Sequence, residues 1–66
     1  MSYEALHRHV EKHYPKAEIE IMSHPDGRSM AVLEMGHQKV TALGVDGEEA
    51  AGALLEELEA NPLPTD

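Results

Sequence analysis

The chain has 66 residues, with 13 Asp and Glu against five Lys and Arg, and a formal net charge of −8 with His neutral. That length makes one small domain, which buries only about 60% of the surface its unfolded chain exposes. The lack of Cys excludes disulfides, thiolate metal sites and thiol nucleophiles, and the acidic balance disfavours phosphate-rich partners and anionic membranes.

Phe and Trp are also absent, and Tyr3 and Tyr14 are the only aromatic residues. The core must therefore come from Leu, Ile, Val, Met and Ala. Small domains without disulfides or aromatic anchors often gain burial by self-association, so a homodimer is expected. No stretch approaches the roughly 20 apolar residues of a membrane span. Met1-Ser2-Tyr3-Glu4 lacks the charged and apolar regions of a signal peptide. A cytoplasmic protein is expected.

The first segment reads as a helix. Ser2 is its N-cap and Glu4 lies near the positive end of its dipole. Tyr3, Leu6, Val10 and Tyr14 recur at helical spacing, and Arg8, Lys12 and His13 fall towards the negative end. Pro15 disfavours helix at Tyr14, which places the end there or just before. Ala17-Glu18-Ile19-Glu20-Ile21 alternates apolar and acidic residues, the pattern of a half-buried strand. Ser23 to Arg28 is a turn, with Pro25 presetting φ and Asp26-Gly27 supplying the bend.

Residues 30–35 form a second predicted strand, apolar on both sides. Gly36-His37 turns into a third over residues 38–43, which Gly44-Val45 ends. Asp46 then caps a last helix with Glu49 three residues on, a capping-box spacing. Ala50 or Ala51, Leu54, Leu55 and Leu58 give it an apolar stripe, and Asn61-Pro62 stops it. The expected domain spans residues 1–61, and residues 62–66 are expected to be a disordered tail. The predicted class is α+β, an αβββα two-layer sandwich with both helices on one face of a three-stranded antiparallel sheet. Ala17, Ile19 and Ile21 should face the helices.

This order resembles the double-stranded RNA-binding domain fold over roughly residues 2 to 60. The likeness rests on Tyr14-Pro15 closing the first helix, the Pro and Gly turn after the first strand, and Gly36 and Gly44. It rests also on Glu49-Ala50 in an Ala-rich last helix that ends Leu-Glu-Glu-Leu. The family reads duplex RNA through its first helix, its first strand–strand loop and a Lys-Lys-x-Ala-Lys run opening its last helix. In this chain Gly47-Glu48 stand where that Lys pair would be, and Ala51 where the later Lys would be. Asp46, Glu48 and Glu49 instead fill the positive helix end, where phosphate binding needs the dipole and nearby cations. The resemblance leaves Arg8 and Lys12 on the first helix, with His24 and Arg28 in the loop, as the nucleic-acid contacts of an alternative reading.

Residues 46–66 carry seven acidic residues and no Lys or Arg, and this stretch favours a basic protein partner. Glu48 and Glu49 belong to that acidic surface. A second surface is the sheet face away from the helices, where Met22, Met30 and Val32 should be exposed. His9 and His13, spaced i, i+4, are the weak candidates for a metal site, although no Glu-x-x-His pattern supplies a further ligand. No phosphate loop, nucleophile elbow or shielded carboxylate pair is present. The sequence thus predicts a small, acidic, non-enzymatic binding protein that self-associates and needs no cofactor.

Overall fold

The computed structural model describes residues 2–64. The elements run α1 (Ser2–His13), β1 (Glu18–Ser23), β2 (Ser29–Met35), β3 (Gln38–Gly44) and α2 (Gly47–Ala60). The strands form one antiparallel sheet in the order β1-β2-β3. This is the expected αβββα, α+β arrangement. None of the described helices is long and apolar enough to cross a membrane.

Register follows from the two turns. Tight pairing across β2 and β3 ends at Met35 opposite Gln38, which leaves the two-residue turn Gly36-His37. Gly36 takes φ +61° while none of the described non-glycine residues has positive φ. A positive first turn residue alone is the signature of a type II′ hairpin, whose twist matches that of the strands. The β1–β2 turn is wider. Gly27 N–H donates to the His24 carbonyl at 2.9 Å, and His24 N–H donates to the Arg28 carbonyl at 2.7 Å. Gly27, at φ +95°, completes this bulged bend.

The pairing puts Ile19, Leu33 and Val40 in one cross-strand row and Ile21, Ala31 and Ala42 in the next, all on the helix side. Ala31 and Leu33 are fully buried there with Leu6, Val10 and Tyr14 of the α1 segment and Ala50, Ala51, Leu54 and Leu58 of α2. Ala17 and Ile19 pack against this core as expected, whereas Ile21, at the sheet margin, stays 36% exposed. Four leucines, Leu6, Leu33, Leu54 and Leu58, are its largest fully buried side chains. Each contributes about 1.5–3 kcal/mol by leaving water.

α2 lies across the sheet, and α1 packs mainly on α2. The contact with β3 is close at Gly44. A Cβ there would clash with Ala50 N and come 2.7 Å from Glu49 C, both backbone atoms. The start of α2 therefore rests directly on the last residue of β3.

Two expectations at the chain ends change. The described part of α1 starts at Ser2, which thus stands within the helix rather than ahead of it. Its terminal N–H groups are taken instead by a side chain from α2. Glu48 accepts from Ser2 N at 2.8 Å and from Tyr3 N at 3.1 Å. A carboxylate at a helix N-terminus meets both the unpaired donors and the positive dipole. At the other end, the first residues of the expected tail are docked. Leu63 packs against the core and donates its N–H to the buried Tyr14 hydroxyl at 3.0 Å. Thr65 and Asp66, the remainder of that tail, lie outside the described residues.

Candidate functional site

The sheet has one covered and one open face. On the open face, cross-strand pairing arranges three rows. Glu18, Glu34 and Lys39 form the first; Glu20, Val32 and Thr41 the second; Met22, Met30 and Leu43 the third. The third row is an apolar band at the end of the sheet near the β1–β2 turn. Met22 is 38% and Leu43 37% exposed, and Met30 between them is half-buried. Leu43 is a member of this surface that the sequence reading did not single out. Its position opposite Met30 depends on the β2–β3 register, which the two-residue Gly36-His37 turn sets.

Val32 differs from the expectation. It lies on the open face, but it is only 2% exposed and stands outside the main core. Its place between Glu20 and Thr41 in the central strand accounts for this, because flanking side chains cover a short β-branched one. Val32 supports the surface from beneath and offers little area to a partner.

The face is also charged. Three carboxylates, Glu18, Glu20 and Glu34, share it with a single cation, Lys39. Glu18 and Glu34 stand directly opposite each other. Like charges in that position destabilise a sheet.

Glu48 and Glu49 are exposed, yet both carry internal bonds. Glu48 holds the start of α1, as described. Glu49 accepts from Val45 N at 2.9 Å while its own N–H donates to Asp46 Oδ1 at 2.9 Å. This is the reciprocal arrangement of a capping box, displaced by one residue because the glutamate reaches Val45 rather than Asp46. The two carboxylates anchor the ends of the helices.

The basic candidates are similarly engaged. Asp26 accepts from Arg28 N at 3.0 Å and from Arg28 Nε at 2.8 Å, and His24 Nδ1 lies 2.9 Å from Asp26 Oδ1. The Arg28 side chain, then the Arg28 backbone N–H, hold the Asp26 carboxyl well below the usual carboxylate range. The same side-chain bond and charge raise the Arg28 guanidinium further. Arg8 lies 4.0 Å from Glu4. Lys12 is exposed in the last turn of α1.

His9 and His13 do come together, with ring centroids 4.5 Å apart and 42° between planes. Tyr14 lies beside both rings. Among the described residues no group of three or more His, Asp or Glu side chains gathers to hold a metal ion. His7 faces Glu11 at 3.5 Å.

A small depression of about 130 Å³ lies between α1 and β1. A larger open cleft of about 590 Å³ lies where the end of α1, the β2–β3 turn and Pro64 meet. No family model, curated protein or solved structure matches the chain. The αβββα topology is consistent with the double-stranded RNA-binding domain fold, and topology alone leaves function open.

Proposed function

We propose that the chain is a non-enzymatic protein-binding domain, and that its open sheet face takes a partner surface combining apolar and basic side chains. The observation that carries this reading is the band of Met22, Met30 and Leu43 beside three carboxylates and one lysine. The exposed apolar side chains gain by burial. A cation placed near Glu18 and Glu34 relieves their mutual repulsion. The acidic last helix adds long-range attraction for the same kind of partner.

The test uses a synthetic amphipathic Lys/Leu peptide as probe and amide chemical shifts as readout. Shifts on the open face around Met22, Met30, Thr41 and Leu43 are expected, weakened at least tenfold by Leu43→Glu and by 0.5 M NaCl. Shifts confined to the helices, or none at millimolar peptide, overturn the reading.

The same band supports a second reading, that a second copy of the chain covers it. Two chains of charge −8 repel, so such a dimer tightens with salt, whereas the hetero-complex loosens. Sedimentation at low and high salt separates the two. Duplex RNA binding has less support. Of Arg8, Lys12, His24 and Arg28, all but Lys12 already face a carboxylate of this chain.

A further inference from the structure

The larger cleft has a chemistry unlike the rest of the molecule. Its walls are the last turn of α1, the loop into β1, the β2–β3 turn and the docked segment near Pro64. Lys16, His13 and His37 line it, with the Gln38 amide and the side chains of Tyr14 and Met35. Among the described residues the lining includes no Asp or Glu, although 13 of the 66 residues are acidic. One fixed cation and two imidazoles therefore face a common space, and none of the described carboxylates lines it.

The apolar part of the cleft is equally defined. Met35 is half-buried against the core, and Pro15 and Pro64 stand beside it. The Tyr14 hydroxyl is occupied by Leu63 N–H, so the tyrosine presents mainly its ring. Gln38 Nε2 reaches the Pro64 carbonyl at 3.4 Å, a long bond that is easily exchanged for a ligand. About 590 Å³ falls within the range of small-molecule sites.

We propose that this cleft binds a small organic anion with a planar or apolar body. Its carboxylate, sulfonate or phosphate group meets Lys16 and His37, and its body lies against Met35, the Tyr14 ring and the prolines. The net charge of −8 does not prevent this. At physiological ionic strength exposed charges are screened over about 8 Å, so the nearby cations set the local field. Lys12 and His13 also offset the negative end of the α1 dipole, which points at this region. This site is independent of the open sheet face, whose carboxylates repel the same ligand.

The probe is 1-anilinonaphthalene-8-sulfonate, an aromatic anion, compared with neutral N-phenyl-1-naphthylamine. Fluorescence titration gives affinity, and amide shifts in a labelled sample give location. Saturable binding is expected, with shifts at Lys16, Gly36, His37 and Gln38, and at least tenfold weaker binding of the neutral probe. Lys16→Glu with His37→Glu should weaken the anion at least tenfold while the far-UV circular dichroism is unchanged. Both side chains are exposed, so the fold does not depend on them. Equal binding of the two probes, unchanged affinity in the folded double variant, shifts confined to Met22 and Leu43, or no binding at millimolar probe would each overturn the proposal.

Discussion

At the residue scale, Gly44 and Asp26 each have a role that a single substitution tests. Gly44 ends β3 where the backbone of α2 presses on it. Adding a methyl group there pushes against Ala50 N and Glu49 C, and neither can turn aside as a side chain can. Gly44→Ala should therefore cost about 1–3 kcal/mol, the usual range for overpacking. Urea denaturation checks this, and an unchanged midpoint would show that α2 shifts without loss. Asp26 gives a pH signature instead. Its carboxyl titrates below its ordinary value near 3.8 because Arg28 holds the charged form. Above that value both folded and unfolded chains are ionised and the stabilisation is complete. As pH falls below it, the unfolded chain takes up the proton first, so stability drops. Asp26→Asn should flatten the stability profile below about pH 4 relative to the parent. Parallel acid limbs would remove the Asp26–Arg28 pair as a contributor.

At the element scale, the short-range features were legible and the long-range ones were not. Helical spacing of Leu6, Val10 and Tyr14 located α1, alternation located β1, and Asp46 with Glu49 located the start of α2. All of these depend on residues within a turn or a strand of one another. Two contacts that complete the elements join residues far apart in sequence, Glu48 with Ser2 across 46 positions and Leu63 with Tyr14 across 49. No local pattern encodes such pairs, so Glu48 read as a free surface charge and residues 62–64 as tail. Val32 was misjudged for the same reason, since its cover comes from Glu20 and Thr41 on other strands. The pairing of Arg28 with Asp26 spans only two positions, and it could have been read from an Asp and an Arg on either side of the turn glycine. Glu48→Ala tests the helix-to-helix link. It leaves two N–H groups of α1 without a partner and should cost about 0.5–2 kcal/mol, as loss of a cap does. Hydrogen exchange should accelerate in the first turn of α1 and leave the sheet unchanged. Uniform acceleration would mean that Glu48 supports the whole fold rather than one helix end.

At the scale of the whole molecule, charge and size act together. The described domain measures 36 × 25 × 18 Å along its principal axes, and the chain carries a net charge of −8. At 0.01 M salt the screening length is about 30 Å, so carboxylates on α2 and on the open sheet face repel each other across the full thickness. At 0.1 M it is about 10 Å, and only near neighbours still interact. Folding concentrates these charges, so low salt should destabilise the folded state. Local pairs such as Asp26 with Arg28 respond in the opposite sense, but they are few beside 13 acidic residues. The thermal midpoint should therefore rise between 0.01 and 0.1 M NaCl. A relief of about 1 kcal/mol corresponds to about 4–8 °C for a domain of 60–100 residues. Differential scanning calorimetry at fixed pH measures it, and a midpoint that falls with salt would show that local ion pairs outweigh the repulsion. The same measurement bears on association. If a second copy covers Met22, Met30 and Leu43, the midpoint will also rise with protein concentration, whereas a monomer gives one salt curve at every concentration.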